Sequence, residues 1–200
     1  MNPKYAELYL DKYGDMLDAI PSMIYLWEYG QNFVDKKDPK AVRRVENLIY
    51  LLHNSVLSLD TKLGKNVKFG YGGIGCVIHK NCRIGNDVSI GQNVTLGGTP
   101  GATIDYQGER INVPVIENNC YIAPGSKVIG GVVIGKFSIF GANSVVNRSV
   151  PPFSIAVGSP AKVVKTISVG DLRKYKALLF PNSNLSLQEV ENIFLEEFNS

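Results

Sequence analysis

Two histidines and three cysteines are the side chains of this 200-residue sequence best suited to proton transfer or nucleophilic attack. Imidazole exchanges a proton near neutral pH, which makes histidine the usual general base. His53 falls in a helical stretch beside an apolar face, so we expect a structural or exposed role. His79 stands in a repeated segment where glycine is typical, and residues that break a local rule often mark functional sites.

The cysteines do not predict a metal or disulfide site. Cys76, Cys82 and Cys120 form no CxxC pair, so neither a disulfide framework nor a zinc knuckle is expected. Cys82 and Cys120 occupy inward positions of the repeat described next. We therefore expect them to pack rather than to act as nucleophiles.

Residues 61–165 repeat with a period of six. From Ile78 the chain reads IHKNCR, IGNDVS, IGQNVT, LGGT and, after an interruption, IENNCY, IAPGSK, VIGGVV, IGKFSI, FGANSV. A helix does not suit this pattern, because each recurring glycine would cost about 1 kcal/mol relative to alanine. Three hexapeptides close one coil and stack their aliphatic residues inward, so the period predicts a parallel β-helix.

Helical segments are predicted on both sides of the coil. In the N-terminal helical region, residues 1–60, a first helix opens at Pro3 and a second covers about 23–34. A third begins with Asp38 as N-cap and Pro39 in its first turn.

The C-terminal helical tail, residues 166–200, contains two predicted helices. One covers 171–179, and the other follows a capping box formed by Ser186 and Glu189. Because the end of a solenoid must be covered, we expect this tail to act as a cap.

The segments IGNDVSIGQNVTLGGT and GANSVVNRSVPPFSIAVGSPAKVV resemble those of the hexapeptide-repeat acyltransferases. They are most similar to the serine acetyltransferase group and its relatives in surface-polysaccharide gene sets, and the resemblance covers about half the chain. It implies a mainly β fold, a left-handed parallel β-helix, and a homotrimer or a dimer of trimers. It also implies transfer of an acetyl group from acetyl-CoA to a hydroxyl.

The later break in the repeat is the loop 98–114, and a loop of this length in a regular solenoid is usually functional. In the family, an arm here reaches a neighbouring subunit and closes the acceptor site. Serine acetyltransferases carry an Arg-His-Pro run in it. Here Arg110 is present and can clamp a carboxylate, its alternative being a solvated cation. The adjacent histidine is absent, which favours an acceptor other than serine.

The earlier break, Phe69–Val77, has nine residues where six are expected. In the serine acetyltransferase group this corner carries an Asp-His pair, and the histidine is the general base. Counting back from Ile84, this chain has Tyr71 and Gly72 there.

The family base is therefore missing from its usual position. We predict that His79 replaces it and lies close to Tyr71, which serves as a donor or substrate contact. Gln92 is predicted to face the same side as the break and either to hydrogen-bond the acceptor or to cap a surface strand.

The resemblance also implies an acetyl-CoA site between subunits. A pantetheine arm held by main-chain groups needs small residues for close approach. Lys162 is placed to meet the nucleotide phosphates as a point charge. The small residues at matching positions are Gly98, Thr99, Ala123, Pro124 and Ala142.

Composition excludes several other classes of protein. A net charge of +3 with 44% hydrophobic residues is ordinary globular usage and does not predict nucleic-acid binding. The N-terminal sequence lacks the apolar run of a signal peptide, and the segment 19–27 is too short to span a bilayer. A cytoplasmic protein without a transmembrane segment is expected.

Three functions remain open at this stage. The favoured one is an O-acetyltransferase acting on a sugar or sugar precursor, and an amino-sugar N-acetyltransferase is a variant of it. The second is a short serine acetyltransferase, which Arg110 supports. The third is a coenzyme A-binding trimeric scaffold without catalysis. A zinc carbonic anhydrase built on this coil is not expected, because its metal site needs three histidine ligands and the chain has two histidines.

Overall fold

Two helices precede the coil in the structure, a computed structural model that describes residues 20–179 and 185–199. They are α1 (Met23–Asp35) and α2 (Pro39–His53). Ser22 caps α1, and the Asp38 carboxylate accepts hydrogen bonds from two backbone amides at the start of α2. The predicted second and third helices are thus confirmed, while the helix predicted from Pro3 lies outside the described residues.

Short parallel strands, numbered in chain order, form three faces. Face A contains β1 (Val56–Leu57), β4 (Val77–Ile78), β7 (Thr95–Gly97), β12 (Lys127–Ile129) and β15 (Val145–Val146). Face B contains β2 (Lys62–Leu63), β5 (Arg83–Ile84), β10 (Val115–Ile116) and β13 (Val133–Ile134). Face C contains β3 (Lys68–Phe69), β6 (Ser89–Ile90), β11 (Tyr121–Ile122), β14 (Ile139–Phe140), β16 (Ser154–Gly158) and the antiparallel β17 (Ala161–Thr166).

The first position of each hexapeptide points into the coil. On face A, Ile78 pairs in register with Leu96, and both are almost fully buried. The fifth positions are also buried and include Cys82 and Cys120, where burial raises the pKa of each thiol to about 12. The predicted parallel β-helix core and the packing role of these two cysteines are confirmed.

Three edges join the faces, and we name each edge by the faces that it connects in chain order. At the AB edge the chain passes from face A to face B, at the BC edge from B to C, and at the CA edge from C to the next strand of A. Asn93 at the CA edge turns with a φ of 59°, a left-handed conformation that asparagine tolerates better than most residues.

The helices cover different parts of the coil. Met23 of α1 and Ile49 of α2 belong to one continuous core with the first strands. α3 (Leu172–Leu179) and α4 (Leu187–Asn199) instead form a second core against Tyr121 and Ile155 on the outer side of face C.

The expectation that the C-terminal helices cover the end of the coil is therefore wrong. Apolar residues on the outer side of face C need cover, and the helices provide it there. The predicted capping box is present, since Ser186 and Glu189 exchange hydrogen bonds at the start of α4. None of the helices within the described ranges is long and apolar enough to cross a membrane.

Candidate active site

The two breaks in the repeat lie at different edges of the coil. The insertion Phe69–Val77 forms the CA edge between β3 and β4. The arm, residues 98–114, leaves the AB edge after β7 and returns at β10, and it contains a hairpin of β8 (Ile104–Tyr106) and β9 (Glu109–Ile111). Each break places side chains that the regular coil cannot supply.

The insertion at the CA edge contains a short 3-10 segment, Gly70–Gly73. Tyr71 and Gly72 adopt left-handed backbone angles, with φ of 52° and 74°. The Tyr71 side chain is 79% exposed. Glycine suits this conformation, because left-handed angles cost an ordinary residue about 1–2 kcal/mol.

Ser55, which is fully buried, holds the insertion to the end of α2. Its hydroxyl donates to the Gly73 carbonyl at 2.6 Å and accepts from the Cys76 amide at 3.0 Å. The Gly75 amide donates to the His53 carbonyl at 3.0 Å. These bonds fix the insertion relative to the helix.

The His53 ring lies against Gly72. A Cβ atom built on Gly72 would lie 3.4 Å from His53 Cε1 and 3.8 Å from Nδ1. On the other side of the ring, Nε2 is 2.8 Å from the Pro21 carbonyl oxygen. This contact joins α2, the segment before α1 and the insertion at one point.

Successive coils place more of the predicted residues along the CA edge. Gln92 Oε1 lies 3.6 Å from the Cβ position of Gly70, so Gln92 does face the insertion from the next coil. The Gly125 amide donates to the Gln92 carbonyl, and the Asn143 amide donates to the Pro124 carbonyl. Gln92, Ala123, Pro124 and Ala142 therefore follow the same edge as Tyr71.

The arm contacts face B of its own coil. Glu109 forms an ion pair with Arg83, and the Tyr106 hydroxyl donates to Glu117 Oε1 at 3.4 Å. Burial, together with the negative charge of Glu117, raises the pKa of Tyr106. Arg110 Nε, in the middle of β9, donates at 3.0 Å to Oγ1 of Thr103, the residue before β8.

A cleft of about 330 Å³ lies between the base of the arm and the AB edge. Cationic side chains outnumber anionic ones in it, and within the described ranges Lys62 and Lys80 form no ion pair. The charged residues that line the cleft are Asp60, Lys62, Lys80, Arg83, Glu109 and Arg110. This arrangement favours a small ligand that carries a negative charge.

His79 lies at the AB edge, directly before Lys80 and Asn81 of the cleft wall. Its ring is exposed, and its Nδ1 accepts from the Asn81 amide at 3.2 Å. Tyr71 precedes β4, whereas His79 follows β4. The expected closeness of the two residues is wrong within one chain, because a strand of face A separates their edges.

The structure thus divides the predicted site residues into two groups. His79, Gly98, Thr99 and Arg110 belong to the AB edge and its arm, while the others belong to the CA edge. Lys162 is exposed on β17, where it pairs with Val157 near the end of β16. Over the described part of the chain, no cluster of three or more His, Cys, Asp or Glu is arranged to hold a metal ion.

Sequence reasoning missed two features of these edges. The contact between His53 and Gly72 joins residues 19 positions apart, and no local sequence pattern predicts it. Lys62 and Lys80 occupy outward positions of adjacent coils, so the six-residue period could have brought them together.

Comparison with known proteins gives one consistent result. The pattern of the bacterial transferase hexapeptide family (six repeats) matches residues 114–148. A serine acetyltransferase of Bacillus subtilis (strain 168) is 46% identical over 92 residues, 46% of this chain and 40% of the relative. A serine acetyltransferase of Staphylococcus aureus (strain Mu50 / ATCC 700699) is 37% identical over 131 residues, 66% of this chain and 58% of the relative.

Solved structures give the same result. A serine acetyltransferase in complex with cysteine superposes with a TM-score of 0.65 and 27% identity, covering 82% of this chain and 59% of the other. A serine acetyltransferase in complex with CoA gives a TM-score of 0.61 and 29% identity, with 71% and 55% covered. The chain spans about half the length of the relatives it matches.

Proposed function

We propose that this chain, which is similar to serine acetyltransferases and matches the bacterial transferase hexapeptide pattern, transfers the acetyl group of acetyl-CoA to the hydroxyl of L-serine. The sequence alone favours a sugar acceptor, since the arm lacks the family histidine. The relatives described above are named serine acetyltransferases and favour serine instead.

The observation that carries this proposal is the basic cleft at the AB edge. A free amino acid presents a carboxylate, and Arg110 can bind it with two parallel hydrogen bonds. Lys80 and Lys62 add positive charge without a competing ion pair among the described residues. A neutral sugar would leave this charge unused, whereas a volume of about 330 Å³ suits a small metabolite.

Acetyl-CoA binding is proposed for the CA edge and the groove beside it. Ala123, Pro124 and Ala142 leave the backbone of successive coils open to a pantetheine arm. Lys162, exposed on the terminal hairpin, would meet the phosphates of the nucleotide. The relative whose title names a complex with CoA supports acetyl-CoA as co-substrate.

A trimer would unite the two edges. We infer a left-handed coil from the similarity to the serine acetyltransferases. We infer a homotrimer because the acceptor cleft and the CA edge lie apart in one chain. In a trimer, the arm of one copy can approach the CA edge of the next. Gly98 and Thr99, at the base of the arm, would then line the same groove from the opposite side.

The test measures release of free thiol from acetyl-CoA with three acceptors: L-serine, L-serinamide and a panel of sugars. We expect release with L-serine and at least about tenfold less with L-serinamide, which lacks the carboxylate that charged groups bind. Release with sugars alone would contradict serine as acceptor. Tight binding of acetyl-CoA without thiol release with any of these acceptors would favour the non-catalytic coenzyme A-binding scaffold.

The variant Arg110→Ala examines the cleft itself. Loss of a charged hydrogen-bond partner should lower kcat/KM for L-serine about 10- to 100-fold. Arg44→Ala, on the exposed side of α2, is the matched control and should leave kcat/KM unchanged. An equal effect of the two variants would exclude the cleft as the acceptor site.

A further inference from the structure

His53 has the geometry of an oriented proton acceptor, although the sequence assigns it no chemical role. Its Nε2 atom lies 2.8 Å from the carbonyl oxygen of Pro21. A carbonyl oxygen only accepts hydrogen bonds, so Nε2 carries the proton. In the neutral ring, Nδ1 therefore holds a free lone pair.

That lone pair lies beside Gly72, in a histidine that is 5% exposed overall. Within the described residues nothing donates a hydrogen bond to Nδ1. The one buried side-chain nitrogen or oxygen without a partner in those ranges is Thr61 Oγ1, so Nδ1 is not sealed from solvent. A side chain at position 72 would stand 3.8 Å or less from Nδ1, and glycine leaves this approach open.

The surrounding bonds hold the ring in place. Pro21 fixes its Nε2 side, and the His53 carbonyl accepts from the Gly75 amide. Ser55, two residues later, ties the same insertion to the helix end. A base must be held within a few tenths of an ångström of its working position, and this network does so.

His79 lacks these features. Its Nδ1 already accepts from the Asn81 amide, and its exposed ring has no second hydrogen bond within the described chain. Within one chain it also lies at the AB edge, on the other side of a face A strand from Tyr71, Gln92 and the CA edge.

We propose that His53 is the general base of this protein, an inference that rests on the proposed acetyl transfer. His53 Nδ1 takes the proton of the acceptor hydroxyl as its oxygen bonds to the thioester carbonyl carbon. The carbon–sulfur bond then breaks, and the proton passes to the leaving thiolate to give free coenzyme A and the acetyl ester. Pro21, through its carbonyl, is the positioning residue that keeps Nδ1 free.

The deciding experiment compares His53→Gln with His79→Gln in the thiol-release assay. A glutamine amide can still donate to Pro21 but supplies no base, so the fold is retained while proton transfer is lost. We expect kcat to fall about 10²- to 10⁴-fold in His53→Gln, with acetyl-CoA affinity within threefold of the unsubstituted protein. His79→Gln should keep kcat within threefold.

The outcomes separate this inference from the proposed function. Near-normal turnover in His53→Gln would overturn His53 as base and leave acetyl transfer intact. A large loss in His79→Gln alone would assign the base to His79. No thiol release by the unsubstituted protein with any acceptor would instead remove the proposed function.

A second measurement does not depend on turnover or on the folding of His53→Gln. The chain has two histidines, so in His79→Gln the nitrogen NMR signals of the remaining imidazole belong to His53. We expect the neutral ring to carry its proton on Nε2, with an unprotonated Nδ1. A neutral ring protonated on Nδ1 would contradict the proposal.

Discussion

The two breaks in the repeat are held in place by different kinds of contact. The insertion at the CA edge is bound to the N-terminal helices by buried hydrogen bonds between the Ser55 hydroxyl and the backbone, and by packing of Gly73 against Met23. The arm at the AB edge is held by charged and polar contacts at the surface, such as Arg83 with Glu109. Buried contacts fix atoms in place, while surface charges attract a ligand and cost little to rearrange.

This contrast assigns a different task to each break. A proton acceptor needs a fixed position, which the insertion supplies. An acceptor site needs charge and access, which the arm and its cleft supply. The same division explains why the insertion is rich in glycine: its backbone passes close to other chain segments, whereas Gly108 in the arm has open space around it.

The largest expected difference between the breaks comes from adding one methyl group to each. Gly75 and Gly108 both have left-handed angles, with φ of 69° and 79°. A Cβ atom on Gly75 would lie 2.0 Å from Asn93 Oδ1, whereas one on Gly108 would have no heavy atom within 4 Å. Gly75→Ala should lower the free energy of unfolding by about 2–3 kcal/mol, since the exposed Asn93 side chain must also move away from the added methyl group.

Gly108→Ala is the matched control, because it carries the backbone strain alone. Its cost should be about 1 kcal/mol. Urea unfolding of the two variants measures both values. Equal losses would mean that the insertion is no more tightly fitted than the arm, and the contrast between the breaks would fail.

A smaller effect is expected from removing one hydroxyl at each break. Ser55→Ala removes the hydroxyl that bonds to the buried Cys76 amide and Gly73 carbonyl and leaves only their mutual contact at 3.4 Å, which should cost about 1–3 kcal/mol. Thr103→Ala removes the acceptor of Arg110 in the arm, where water can replace it, and should cost less than about 0.5 kcal/mol.

Thermal unfolding and kcat distinguish the roles of the two hydroxyls. Ser55→Ala should also lower kcat, because the insertion and His53 lose a shared anchor, while Thr103→Ala should alter KM for the acceptor rather than kcat. A Ser55→Ala protein with unchanged stability would show that the helix end is not what fixes the insertion.

Much of this fold follows from the sequence because its signals are local. The six-residue period places Ile78 and Leu96 in one inner column, and Asp38 marks the start of α2 because its carboxylate is a favoured N-cap. The position of the C-terminal helices does not follow in this way. It depends on which outer face of the coil is apolar, and that requires all coils to be assembled first.

The candidate site is less predictable for the same reason. Counting along the repeat identifies Gly72 as the residue at the corner, but it does not reveal that the end of α2 brings His53 to it. The sequence also links His79 with Tyr71, although a strand of face A separates them. Contacts between a solenoid and its flanking helices are long-range, and no periodic pattern encodes them.

A small effect on stability is expected at the arm's ion pair, where the sign of the functional effect is the informative result. The side chains of Arg83 and Glu109 are 24% and 62% exposed. Glu109→Gln should therefore change the free energy of unfolding by less than about 1 kcal/mol, and less still in 1 M salt. Because the change removes a negative charge from the cleft, KM for L-serine should fall severalfold at low salt and recover at high salt.

Glu28→Gln on the exposed side of α1 is the charge-matched control and should leave KM unaltered. A higher KM in Glu109→Gln would mean that the Glu109 carboxylate binds the amino group of L-serine, in addition to pairing with Arg83.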